Sequence, residues 1–206
     1  ADLSKTGKKI SVTNCLPMEY ADYISDVSVQ SSFSIDSWFF GSSLRKAFKD
    51  GHISYIPNHL HLAGKTRLAR KKTHVYIGAA SIPDKHGFIS LSLSNVYEKR
   101  AIEDAEISIL EINPNMPRTF GDLNVHISDI DYVIETTYMP PVLPDIEPND
   151  KDVKIGQFIA EHIPDGASLQ LGIGGIPNAV ASALMNKKAL GIHTDMFTTG
   201  LMKLIK

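Results

Sequence analysis

Between Leu169 and Asp195 the chain reads LQLGIGGIPNAVASALMNKKALGIHTD, and two points in that stretch carry residue types able to do chemistry. The first is the turn Gly172-Ile173-Gly174-Gly175-Ile176-Pro177, which closes a short apolar run and opens an amphipathic one. Backbone amides at a glycine turn that leads into a helix N-terminus form an anion site. The second is His193-Thr194-Asp195, at the end of the next apolar run. An acid there reaches into the same crevice. Such a pair suits the binding of a dinucleotide or an attack on a thioester.

A dinucleotide site of the Rossmann type needs a strand, G-x-G-x-x-G, a helix, and an acid about 20 positions on for the ribose hydroxyl. Gly172 and Gly174 match, and Asp195 stands at a fair distance, but Pro177 replaces the third glycine. A pyrrolidine ring opposes the close helix–strand packing which that glycine permits. Proline is favoured instead in the first helical turn, where its missing N–H costs nothing. The residues alone therefore leave three readings open: a dinucleotide site, another anion or oxyanion site, and a turn with a structural role.

The elements that must position these residues alternate between β-like and helical patterns, which predicts an α/β fold built on a mostly parallel sheet flanked by helices. Lys9–Cys15, His74–Ala80, Ile107–Ile112 and Tyr132–Thr136 read as strands, with His74–Ala80 a buried one. Ser42 or Ser43 is placed to cap a helix through Leu44, Ala47 and Phe48. Asn95 followed by Glu98 fits a capping box ahead of Tyr97, Ala101 and Ala105. Asn113-Pro114-Asn115 is a turn. Met139–Asp150 holds four prolines in twelve residues and cannot continue a helix or a central strand, so it reads as a linker. Asp152–Ile163 follows as a helix with Ile155, Phe158, Ile159 and His162 on one face. The expected organisation is an α/β domain over 1–138, a linker over 139–150 and the start of a second α/β domain over 151–206. The last part is about 55 residues, too few to bury a core of its own.

Composition narrows the partners. A net charge of −2 gives no electrostatic case for nucleic acid. The apolar runs fall short of the roughly 20 residues of a membrane span, and ADLSKTGKKI lacks the apolar core of a signal peptide. The single cysteine, Cys15, rules out an intrachain disulfide and a cysteine-based zinc cluster, and points to a reducing, cytoplasmic setting.

GIGGIPNAV followed by GIHTDMF resembles the acetyl-CoA hydrolase/transferase family, nearest to its 4-hydroxybutyrate and butyrate CoA-transferases. Trp38–Gly41 (WFFG), Tyr55–Gly64 (YIPNHLHLAG), Pro83–Gly87 (PDKHG), Glu111–Asp122 (EINPNMPRTFGD) and Val125–Tyr132 (VHISDIDY) are similar to segments of that family in the same order. The resemblance covers roughly residues 30 to 206. It implies that Gly172, Ile173, Gly174, Gly175, Ile176 and Pro177 contact coenzyme A, one amide helping to hold the thioester oxyanion. It implies a nucleophilic glutamate where this chain has Asp195, and transfer of CoA from a short-chain acyl-CoA to a carboxylate such as acetate through an anhydride and an enzyme–CoA thioester. No metal is required, and the intact protein is expected to be a dimer about twice this length. The 206 residues alone are expected to be inactive without the remainder.

Asp195 is one methylene shorter than glutamate, which sets its oxygens about 1.5 Å back. Three readings follow: Asp195 remains the nucleophile, it serves as general base for a water in an acyl-CoA hydrolase, or the chemistry is weakened. A non-catalytic acyl-CoA-binding fragment and an NAD-type oxidoreductase are the competing classes. Asn58 and His59 are placed to line the acyl pocket at the carboxyl edge of a sheet, or to hold their turn. His59 and His61, two apart, would share a face of a strand, but a third metal ligand is not evident. Lys65, Arg67, Arg70, Lys71 and Lys72 read as a solvated helix face, Arg118 as an anchor between loops, and His86 as a turn residue. Cys15, Trp38-Phe39-Phe40, Leu184 and Met185 read as core.

Overall fold

The computed structural model describes residues 7–17, 24 and 32–205. Residues 1–6, 18–23, 25–31 and 206 lie outside the described residues. The chain divides into two compact units, Ala1–Pro140 and Pro141–Lys206. Among the described residues no helix is long and apolar enough to cross a membrane.

The first unit holds two parallel three-stranded sheets. In one, β1 (Ile10–Asn14), β2 (Phe33–Ser37) and β3 (Ile53–Tyr55) lie in that order, with Ile35 paired to Val12 on one side and Ile53 on the other. Ile35 is wholly buried with Ile24, Leu44, Ala47 and Ile53. Leu44 and Ala47 reach that cluster because α1 (Ser42–Ala47) sets them three residues apart on one face. Gly41, in an extended conformation, occupies the cap position of α1, so neither serine is the cap that the sequence suggests. A turn at Leu60–Leu62 leads into α2 (Ala63–Arg70). There the backbone of Gly64 lies so close to Tyr97 that an added Cβ would sit 2.4 Å from the tyrosine Cβ.

The other sheet is β4 (Val75–Ala80), β6 (Ile107–Ile112) and β8 (Tyr132–Glu135), with β6 in the centre. Its core joins Ala80, Leu110 and Ile112 to Ile89 and Val125 from the antiparallel pair β5 (Phe88–Ser90) and β7 (Asn124–His126), to Leu91 just after β5, and to Ile102 of α3 (Glu98–Asp104). The expectation of a buried strand at residues 74–80 fails on one face. Tyr76 packs on the core, but Ile77 is 71% exposed and Val75 47%. β4 is an edge strand of alternating burial, and an unbroken apolar run does not reveal which face is covered. The α3 helix also begins later than a cap at Asn95 would require. Tyr97 holds the cap position, and the Glu98 carboxylate instead accepts from the amides of Val96 and Tyr97.

Polar joints fasten the loops of this unit. Buried Asn113 donates to the Tyr138 carbonyl at 2.8 Å and accepts from the Asn115 amide at 2.9 Å, which holds the Asn113-Pro114-Asn115 turn. Arg118 is the anchor that the sequence suggests, donating to Asp84 and to the Phe88 carbonyl, each at 3.0 Å. His86 lies in the turn closed by the Gly87 amide on the Asp84 carbonyl. Asp131 accepts from both the amide and the hydroxyl of Ser108, at 2.8 and 2.9 Å. Cys15 is half-buried rather than part of the core, and that partial burial pushes its thiol up, so it stays protonated.

The second unit is a βαβ arrangement preceded by a helix. α4 (Asp150–Glu161) leads to β9 (Ser168–Leu169), then α5 (Gly175–Ala183), β10 (Gly191–Ile192) and α6 (Thr199–Ile205). β9 and β10 are parallel. Contrary to the expectation, this part buries a core of its own, though a small one: Ala160, Leu169, Val180 and Leu184. On α4 the buried residues are Gly156 and Ala160, which corrects the expected face. Phe158 is 65% exposed, because the helix turns its small residues toward α5. A Cβ on Gly156 would lie 2.8 Å from the Ala179 carbonyl carbon, so only glycine permits that approach. Met185, expected in the core, is exposed, while Leu184 beside it is fully buried.

The amides of Ser108 and Phe88 hold the Asp131 and Asp84 carboxyls, respectively, below the usual carboxylate range. A depressed folded-state value contributes stability that is complete above the unfolded value of about 3.9 and is lost as pH falls through the folded one. Melting temperature should therefore drop on acidification below about pH 4. Asp131→Asn, which keeps an acceptor that does not titrate, should flatten the drop; an unchanged acid profile would count against this joint.

Candidate functional site

The glycine turn exists because β9 ends after Leu169, and the chain must reverse into α5 within a few residues. Gly174, at φ +131° and ψ 179°, holds the cap position of α5 in a backbone region reserved for glycine. Its carbonyl accepts the first helical hydrogen bond, from the Asn178 amide at 3.1 Å. Pro177 falls in the first turn, where a missing donor breaks nothing. The amides of Gly172 to Ile176 have no hydrogen-bond partner among the described residues. Gly172 and Ile173 are exposed, Gly174, Gly175 and Pro177 half-buried, and Ile176 is 39% exposed. The result is a cluster of free donors at the positive end of a helix dipole.

Asp152 shares that end. Its carboxylate takes part in the capping box of α4, accepting from the Asn149 amide at 3.0 Å. It also packs on Gly175, where a Cβ would meet its Oδ2 at 2.3 Å. A carboxylate already facing the α5 N-terminus offsets part of the dipole and repels a second full anion. A pyrophosphate is therefore a poor guest at this turn. A neutral carbonyl that becomes negative only during reaction fits it better.

Asp195 is brought alongside by the β9–β10 pair. The His193 amide donates to the Leu169 carbonyl at 2.9 Å, extending the ladder. The Thr194 hydroxyl lies 3.3 Å from the Leu171 carbonyl and 3.0 Å from that of Met196, fixing the backbone before Asp195 to the residue ahead of Gly172. Gln170 Nε2 then donates to Asp195 Oδ1 at 2.9 Å. The carboxylate is exposed. Gln170 and Thr194 are the residues that sequence reasoning missed. Their signal was register: in a parallel pair, the positions just past Leu169 face those just past Ile192.

Asn58 and His59 lie in the first unit, between β3 and the turn at Leu60–Leu62. Asn58 is half-buried, His59 is exposed, and the His59 carbonyl accepts from the Leu62 amide at 2.9 Å. The His59 and His61 rings stack at 5.6 Å on that turn rather than on a strand. Among the described residues no group of three His, Cys, Asp or Glu side chains could hold a metal. Two members of the basic run have internal partners: Arg67 donates to the Thr13 hydroxyl at 3.0 Å, and Lys72 pairs with Glu106 at 2.9 Å. A hollow of about 390 Å³ in the second unit is lined by Asp145, Asn178, Met185 and Lys203 among others, and by none of the turn residues 172–177.

Comparison with known proteins gives this geometry a context. Residues 9–144 match the family model of the acetyl-CoA hydrolase/transferase N-terminal domain, a span that ends before the glycine turn. The chain is 38% identical over 203 residues to the 4-hydroxybutyrate coenzyme A transferase of Clostridium kluyveri, covering 96% of this chain and 46% of that protein. It is 34% identical over 183 residues to the butyryl-CoA:acetate CoA-transferase of Anaerostipes caccae, covering 84% of this chain and 41% of that one. The crystal structure of RipA from Yersinia pestis superposes with a TM-score of 0.89 at 29% identity, over 95% of this chain and 47% of that chain. This chain thus spans less than half the length of these relatives.

Gly174→Ala forces a side chain into a backbone region that costs about 1–3 kcal/mol. Urea unfolding should show a loss of that size; an unchanged unfolding free energy would count against a strained cap at Gly174.

Proposed function

Because this chain belongs to the acetyl-CoA hydrolase/transferase family, we propose that its glycine turn receives the thioester end of a short-chain acyl-CoA. The protein then moves CoA to a carboxylate such as acetate. The observation that carries this reading is the set of unpartnered amides from Gly172 to Ile176 beside a carboxylate tethered by Gln170. Gly172, Ile173, Gly174, Gly175, Ile176 and Pro177 contact the CoA moiety in this reading, and Asn58 and His59 line the acyl pocket.

The steps follow from the chemistry of a carboxylate, which is ionised at neutral pH. One oxygen of Asp195 attacks the thioester carbonyl carbon. The turn amides hold the oxyanion, the C–S bond breaks, and CoA leaves as the thiolate. A mixed anhydride remains. The thiolate attacks the Asp195 carbonyl carbon, releasing the first acid and leaving an enzyme–CoA thioester. The acceptor carboxylate then reverses the sequence. The relatives' names support 4-hydroxybutyryl or butyryl groups as the acyl class. A dimer in the cytoplasm is part of the same proposal.

Hydrolysis is the second reading, favoured by the short side chain of Asp195. A carboxylate about 1.5 Å short of the glutamate position leaves room for a water, which Asp195 would activate as general base.

The test supplies butyryl-CoA with labelled acetate to the protein carrying this chain. Transfer predicts labelled acetyl-CoA in step with loss of butyryl-CoA. CoA release that does not depend on added carboxylate would replace transfer by hydrolysis. Borohydride reduction followed by intact-mass and peptide analysis locates the nucleophile. Modification of Asp195 assigns it; modification of another carboxylate keeps the transfer reading and removes Asp195 from it.

A further inference from the structure

Gln170 follows the last residue of β9 and is exposed. Its carboxamide nevertheless makes one defined contact, donating from Nε2 to Asp195 Oδ1 at 2.9 Å. In the free protein an exposed hydrogen bond of this kind adds little to stability, since water competes for both groups; an acyl thioester bound over the site excludes that water and gives the bond its weight. The fold has no need of it. An exposed aspartate without it would sample several staggered rotamers, pointing its oxygens in different directions.

We infer that Gln170 is a positioning residue that clamps one oxygen of Asp195 so that the other is presented to the acyl thioester. The inference rests on the nucleophile reading of Asp195 proposed above. The clamp works from a fixed base. Leu169, next to Gln170, is buried, and its carbonyl accepts from the His193 amide at 2.9 Å. From the other side, the Thr194 hydroxyl secures the backbone that leads into Asp195. The carboxylate is thus held at its root by Thr194 and at its tip by Gln170.

The choice of a carboxamide matters. A lysine or arginine in its place would neutralise the charge that makes the carboxylate a nucleophile. A glutamine donates without doing so. During attack, Oδ2 forms the bond to the acyl carbon while CoA leaves as the thiolate. Oδ1 becomes the carbonyl oxygen of the anhydride, still accepting from Gln170. The reach of glutamine, one methylene longer than asparagine, matches an aspartate that is one methylene shorter than the glutamate implied for this position.

The experiment measures acyl-CoA:acetate transfer by Gln170→Met, which keeps the length and removes the donor. Loss of orientation should lower kcat on the order of 10- to 100-fold while KM for acyl-CoA changes by less than about twofold, with the melting temperature unchanged. Gln170→Asn should be similarly impaired. Adding Asp195→Glu to it moves one methylene from donor to acceptor, and should recover much of the lost kcat. Wild-type kcat in Gln170→Met, or a rise in KM alone, would overturn the inference. Should Gln170→Met prove less stable, failure of the Asn/Glu pair to improve on Gln170→Asn would overturn it as well. Asp195→Asn separates the two levels. If it keeps full transfer, the nucleophile reading falls and takes the clamp with it. If it is inactive while Gln170→Met is unimpaired, only the clamp falls.

Discussion

A very short stretch of parallel ladder carries the geometry of the second unit. Ser168–Leu169 against Gly191–Ile192 is only two residues on each strand, yet everything of chemical interest hangs from its carboxyl end. The glycine turn leaves from one strand, and His193-Thr194-Asp195 leaves from the other. Parallel pairing sends both exits in the same direction, as an antiparallel hairpin would not. Buried Leu169, seated on Ala160, Val180 and Leu184, fixes the height of the ladder. Side chains and carbonyls just beyond it then complete the alignment.

The packing of α4 on α5 adds a second constraint, and it is electrostatic as well as steric. Gly156 lets the two helix backbones approach at Ala179, and Gly175 does the same for the Asp152 carboxylate. With the helices this close, the capping acid of α4 also lies against Gly175 at the N-terminus of α5. The turn is left with free amides but a reduced appetite for permanent negative charge. That balance suits a group whose charge develops only in a transition state.

Much of this was legible in the sequence. The parallel α/β class, the strands at β1, β4, β6 and β8 and the turn at Asn113–Asn115 follow from periodicity and turn chemistry. Pro177 alone was enough to weaken the dinucleotide reading. The misses share a physical origin. Ile155, Phe158 and Ile159 look like the core face of α4, because a sequence shows how apolar a stripe is and not how near a neighbour must come. Gly156 and Ala160 were chosen for proximity. Ser42 and Asn95 are good cap residues passed over in favour of Gly41 and Tyr97, where the backbone was already extended or committed. Gln170 left no motif at all, since its partner is 25 residues away and only strand register joins them.

The half-covered sheet of the first unit has a practical consequence for handling the polypeptide. β4 and β8 turn Val75, Ile77, Tyr132 and Ile134 to solvent, all at least 47% exposed. Purely parallel sheets are normally sheathed on both sides. An exposed apolar plate of this kind is prone to self-association. Purification yield, storage concentration and the choice of salt for this polypeptide will be governed by that plate more than by its near-neutral net charge.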